Sequence, residues 1–293
     1  MNQATNRIRE TIEPLEALAL LAWNNAPQWC HPEHGCQDYH RSWGLVRLLL
    51  GHGRLPAGED FFARELTKVV RSGGRRVLVS GGADAGLLTI ALKACRAAGT
   101  EPELVFADRC ATACEVNARM AVAAQANVQI IQGDLCELDI APVDAVLAHS
   151  FLPFFEGDKR QALLEAWTRN CQVGGKVLIS NVLKADEADW TTIKDGEALK
   201  ARAQKLRQAL QEAGHLPEVV EEMVSTAERF WKSSPSRPPG LTEANLRIGL
   251  ERAGFADISI HYSDAGVNDG PIAMVRKRLN GKPRAEISAV KRK

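Results

Sequence analysis

The stretch Arg75–Leu88, RRVLVSGGADAGLL, constrains this chain more than any other. Val77, Leu78 and Val79 make Arg76–Ser80 a short buried strand. Small residues then turn the chain into a helix, Leu87–Ala98. That order sets a glycine-rich backbone and a helix N-terminus at the carboxyl end of a strand. Open α/β sheets bind nucleotide-like ligands at such a place.

The rest of the chain supports an α/β reading. Further strands are expected at Glu103–Ala107, Val128–Gln132, Asp144–His149, Lys176–Asn181, Asp257–Tyr262 and Ile272–Arg278. Helical patterns at Ala111–Ala124, Lys159–Asn170 and Glu243–Ala253 separate most of them. Strands alternating with helices predict a mostly parallel sheet covered on both faces. The short, Asp-, Asn- and Gly-rich connection Ser263–Gly270 permits a hairpin but no parallel crossover, so the seventh strand should run antiparallel to the sixth. Residues 1–71 read as a helical N-terminal cap and 72–293 as the α/β domain. That domain carries a helical insertion, 183–239 (helices Glu197–Ala213 and Pro217–Lys232, then SSPSRPPG). A basic stretch, 280–293, reads as a solvated tail.

Composition narrows the partners. A balance of 37 basic and 36 acidic residues gives a net charge of +1, so no bulk field attracts nucleic acid. No apolar run reaches transmembrane length, and Met1–Glu10 is too polar for a signal peptide. Seven scattered cysteines are then expected as reduced thiols in a cytoplasmic protein.

Several positions form a recognisable set. Ser80, Gly82, Asp84 and Gly86 follow the first strand at every second residue. Asp108 ends the second strand, Gly133-Asp134 follows the third, and HSFLPF follows the fourth. Gly174-Gly175 precedes the fifth strand, and LRIGLERAGF the sixth. With seven strands and an antiparallel last one, the chain resembles the class I S-adenosylmethionine-dependent methyltransferases from about Ser72 to Arg278. The resemblance implies a Rossmann-like sheet and S-adenosylmethionine as cofactor. It implies that the backbone of Gly81, Gly82 and Gly86 approaches the ligand and that Asp108 accepts both ribose hydroxyls, with Arg109 near the adenine edge. It places Asp134 at the adenine amino group and Leu135 against the ring. Ser80 stands where the family has an acid, and Asp84 where it has a glycine, so Asp84 is a candidate for the methionine ammonium.

A second informative segment is Cys30–Leu50. A helix from about Gln37 puts Cys36, Tyr39, His40, Trp43, Val46, Arg47 and Leu50 on one stripe. It packs on the sheet as core, or roofs the cofactor pocket with Tyr39 and Trp43 against the sulfonium or substrate. Cys30, His31, His34, Cys36 and His40 are zinc-type ligands, but CH-x-x-H-x-C lacks paired spacing and no metal is expected. Candidate catalytic residues are His149 as base, then His40, then Tyr39; His149 would also border the cofactor. Phe151, Phe154 and Phe155 suit an apolar wall. Trp190 and Arg229-Phe230-Trp231 suit a lid, although the same amphipathic helices suit a homodimer surface.

The expected activity is methyl transfer to a small molecule. HSFLPF lacks the acid or Asn, two prolines and aromatic of the DNA amine methylases. Lyase or cyclase chemistry on S-adenosylmethionine itself, known on this fold, stays open. An NAD(P) oxidoreductase can use Gly81, Ala83 and Gly86 as a fingerprint. Gly133-Asp134 and the C-terminal hairpin speak against it.

Overall fold

The computed structural model describes residues 14–49, 58–183, 196–212, 214–233, 241–263 and 284–292. Its centre is a seven-stranded sheet: β1 (Arg76–Ser80), β2 (Glu103–Asp108), β3 (Val128–Gln132), β4 (Val143–His149), β5 (Cys171–Asn181), β6 (Phe255–Ser263) and β7 (Arg284–Lys291). The spatial order is β3-β2-β1-β4-β5-β7-β6. β1 to β5 pair in parallel, and β7 lies antiparallel to both β5 and β6. Strand order reverses between β1 and β4, and the carboxyl ends there form the crevice where such sheets take ligands.

Both faces of the sheet are buried because the apolar residues run continuously through the central strands. In β1, Val77 and Val79 join one core and Leu78 the other. In β4, Ala145 and Leu147 face the first core, and Val146 and Ala148 the second. Helices α3 (Glu59–Arg71), α4 (Gly86–Ala97) and α5 (Ala111–Ala123) follow in the first half of the chain, with α6 (Gly157–Asn170) and α9 (Glu243–Arg252) in the second.

One expectation is corrected and two are refined. First, the 280–293 segment is no tail: its residues 284–291 are β7, inserted between β5 and β6. Ala285, Ile287 and Ala289 alternate inward, and Ile287 lies opposite Ile179 on one side and Ile260 on the other. The antiparallel direction agrees with expectation, but the residues differ; the proposed strand Ile272–Arg278 and most of the turn before it fall outside the described residues.

Second, Glu59–Arg71, assigned to the cap from sequence, packs against the sheet in a core that Leu15, Leu18 and Ala22 also join. Phe61, Phe62, Leu66, Val69 and Val70 recur at three- and four-residue spacing and are buried in the core shared with α4 and β1. Burying side chains of this size contributes about 1.5–3 kcal/mol each. The cap proper is therefore α1 (Pro14–Trp29) and α2 (Gln37–Leu49), joined through a 3₁₀ turn at Pro32–His34.

Third, the insertion docks on the cap. Its helices α7 (Gly196–Glu212) and α8 (Pro217–Ser233) form a core of their own around Leu206, Leu210, Val220 and Val224, with Trp23 of α1 packed against it. Arg229 of α8 forks onto Asp38 of α2, with Nε and Nη2 donating at 3.0 and 3.2 Å. Arg41 pairs with Glu222 while its guanidinium lies 4.2 Å over the Trp23 ring. Among the described residues, no helix is long and apolar enough to cross a membrane.

Candidate active site at the carboxyl ends of the strands

The turn after β1 is held open by backbone and not by bulk. Gly81 has φ +73, and a Cβ there would lie 2.3 Å from the Phe151 ring. Only glycine suits that position. The Gly81 N–H donates to the Ala107 carbonyl, and the Gly82 N–H to Asp108 Oδ2 at 3.1 Å. The Cys110 N–H donates to Asp108 Oδ1 at 2.8 Å. Asp108 is thus one strand over from the glycine turn and bonded to it. It is 7% exposed, and burial pushes its carboxyl above the ordinary range, opposed by the neighbouring His40 and by the two N–H groups. A carboxylate offers about four acceptor positions, so two remain for a ligand diol.

Asp84 serves the turn itself. Its Oδ1 accepts from the Gly86 N–H at 2.7 Å, which satisfies an open donor at the start of α4. Its Oδ2 accepts from Trp43 Nε1 at 3.0 Å. An acid in place of the middle glycine therefore ties the cap to the loop. Ser80 does not reach the crevice. It is fully buried, and its Oγ accepts from Trp167 Nε1 at 2.7 Å inside the sheet–α6 core. The side chain is thus engaged inside the core, where an indole needs an acceptor.

His40, a second candidate base from the sequence, is 5% exposed and sits against Cys110 and Asp108. Tyr39, its neighbour on α2, meets it ring to ring at 5.1 Å. Its ring lies 5.7 Å from Trp43, 6.0 Å from Phe154 and 4.9 Å from Phe230 of the insertion. The side chains of Val46, Arg47 and Leu50 lie outside the described residues, as does Trp190.

The fourth strand ends on His149, half-buried and level with Ser180 of β5. Ser150 follows in the left-handed region at φ +51, an uncommon conformation that marks functional turns. It turns the chain into Phe151, whose ring covers Gly81 and meets Phe155 at 5.0 Å. Arg284, the first residue of β7, braces this corner: Nη2 donates to Ser150 Oγ at 2.6 Å and to the Ser180 carbonyl at 3.1 Å. Burial lowers its pKa to about 10. Sequence reading missed Arg284 because it stood in the presumed tail. A later signal was present in the Ala285, Ile287, Ala289 alternation.

The remaining positions lie around the rim. Asp134 is exposed, and its Oδ1 accepts from the Cys136 N–H at 2.9 Å. Arg109 is exposed beside Asp108. Leu135 is buried in the core under α6. A void of about 10 Å³ lies between the cap and the Ala83–Ala85 backbone. A larger hollow of about 550 Å³ lies among Lys68, Gly74, Asp144 and Lys176, at the opposite ends of the strands. Gly174 and Gly175 line that hollow, but Gly82, Asp84, Asp108, Asp134 and His149 do not.

Comparison with solved structures gives the fold. A protein of Bordetella parapertussis described as an exported-protein candidate is 18% identical, with TM-score 0.53 over 100% of this chain and 98% of that one. An O-methyltransferase family protein of Burkholderia thailandensis is 12% identical, with TM-score 0.51 over 96% of this chain and 72% of that one. This chain has the fold of the class I S-adenosylmethionine-dependent methyltransferases. The S-adenosylmethionine-dependent methyltransferase SibL is 16% identical, with TM-score 0.48 over 88% of this chain; the chain spans 58% of SibL's length. No family model matches the sequence, and no curated protein does.

Proposed function

We propose that this chain transfers a methyl group from S-adenosylmethionine to a small, largely apolar acceptor. The observation that carries the reading is the bond from the Gly82 N–H to Asp108 Oδ2 in a sheet of this order. A thin backbone turn and a diol-accepting carboxylate meet at the strand-order reversal. When bound, S-adenosylmethionine supplies a methyl group already made electrophilic by its sulfonium, so the protein's tasks are alignment and exclusion of water.

Asp108 accepts the ribose hydroxyls, and the Gly81–Gly82 backbone lets the ligand approach. Asp134 accepts from the adenine edge at the rim, next to Arg109. Phe151 covers Gly81, so its ring swings aside on entry. His149 stands at the end of β4 as the group that removes a proton from the acceptor. Tyr39, Phe154 and Phe230 come from the cap, the β4 exit and the insertion, and together they offer an aromatic wall. Such a wall also suits a cation nearby, worth about 0.5–2 kcal/mol. The Trp167 bond explains Ser80 by packing alone, so nothing in that change favours cleavage of the cofactor.

Incubation with S-adenosylmethionine tests the reading. S-adenosylhomocysteine that appears only when aromatic or apolar acceptors are added is the expected result. Methylthioadenosine released without an acceptor would overturn methyl transfer.

A further inference from the structure

Three sulfur atoms from separate parts of the chain converge behind Asp108. Cys30 follows the last turn of α1, Cys36 immediately precedes α2, and Cys110 immediately precedes α5. The Sγ atoms of Cys30 and Cys110 are 3.6 Å apart, and those of Cys36 and Cys110 are 3.7 Å apart. All three lie within 4.8 Å of one another. Zinc–sulfur bonds of about 2.3 Å in a tetrahedron put sulfur atoms roughly 3.8 Å apart. A disulfide would instead draw one pair to about 2.05 Å and leave the third sulfur aside.

A fourth group stands beside them. His40 is four residues after Cys36, on the same face of α2. Its imidazole lies near Cys110, and its buried Nδ1 has no hydrogen-bond partner. A buried ring nitrogen without a partner is costly and calls for an explanation.

We propose that Cys30, Cys36 and Cys110 form a structural site for a soft divalent cation, zinc in the first instance, with His40, which stands beside Cys110 but outside the 4.8 Å cluster, turning in to complete the coordination. Three thiolates and an imidazole are a closed, soft donor set that leaves no place for substrate. The sequence expectation of no metal is thereby reversed. It missed Cys110, which lies far along the chain and enters the cluster only through the fold. The ion would clamp the turn between α1 and α2 onto the loop that holds Asp108, since the Cys110 N–H is one of the two donors that fix that carboxylate. The inference stands apart from the methyl-transfer reading, because it needs no ligand in the crevice.

The test is metal content. Full-length protein is incubated with zinc, dialysed against metal-free buffer and analysed by elemental mass spectrometry. One zinc per chain is expected for the wild type. Cys36→Ser and Cys110→Ser should retain little, while Cys171→Ser, buried elsewhere, keeps full occupancy. To guard against misfolding of Cys110→Ser, cobalt is also titrated into wild-type protein. A tetrahedral d–d spectrum with a thiolate charge-transfer band is expected, weakened or shifted in His40→Ala. Metal-free wild type, zinc retained by the Cys36→Ser/Cys110→Ser double variant, or five titratable thiols in place of seven in denatured, metal-free protein would each overturn the site.

Discussion

The ends of β1 and β2 and the end of β4 lie under the same cap but are built differently. On the β1–β2 side, positions are fixed by hydrogen bonds to backbone: Asp108 to Gly82 and Cys110, and Asp84 to Gly86 with Trp43 alongside. On the β4 side, Arg284 braces Ser150 and Ser180 from beneath, but the contacts toward the cap and the insertion are aromatic. Tyr39, Phe154 and Phe230 meet at 4.9 to 6.0 Å, and Phe154 is 56% exposed. Hydrogen-bond geometry leaves little freedom, whereas ring contacts tolerate sliding. The difference suits a rigid half for an invariant ligand and an adaptable half for an acceptor.

The largest expected effect lies on the adaptable side. His149→Ala should lower kcat about 10²- to 10⁴-fold, the span of a lost general base. S-adenosylhomocysteine affinity should stay unchanged by calorimetry. Equal losses in affinity and turnover would erase the division between the halves. Next, Asp108→Ala should weaken that same affinity by about 1.5–3 kcal/mol, a lost charge-assisted hydrogen bond. Asp108→Asn, which keeps the shape, serves as the milder control.

Smaller effects sharpen the comparison. Trp43→Phe removes one bond to Asp84 and should cost about 0.5–1.5 kcal/mol of stability in denaturant titration. Phe230→Ala should raise KM for the acceptor and leave cofactor affinity alone. Smallest is a control remote from both halves. Glu65 of α3 is buried, which pushes its pKa up, but Lys68, Lys176 and Arg64 override this and hold it below 4.5. A lowered carboxylate contributes stability above its unfolded pKa and loses it as pH falls through the folded value. Glu65→Gln should therefore destabilise by up to about 1 kcal/mol at pH 7, since its partners are partly exposed. The difference should vanish in acid, which melting curves across pH would show.

The sequence was most readable where local chemistry repeats. Val128–Gln132 matches its strand without adjustment, and β1, β2, β4, β5 and β6 each contain the expected core. The turn at Gly81 and Gly82 and the strand-end place of Asp108 were legible because a tight turn and an acid at a strand end leave a mark in adjacent residues. The failures share a cause, which is dependence on distant partners. β7 is charged and small-chained, and its place comes from ladder bonds on both sides, so its own hydrophobicity says little. The environment of Ser80 is set by Trp167, 87 positions away, and that of His40 by Cys110. The stripe on α2 put Tyr39 and His40 on one face, and their rings meet at 5.1 Å.

The account rests on an adenosyl sulfur compound seated between the glycine turn and Asp108. Calorimetric titration of the unmodified protein with S-adenosylhomocysteine, and separately with NAD, tests this most directly. Saturable one-to-one binding of S-adenosylhomocysteine, weakened in Asp108→Ala, with no heat from NAD, is the predicted result. Binding of NAD in its place, or S-adenosylhomocysteine binding unaffected by Asp108→Ala, would contradict it.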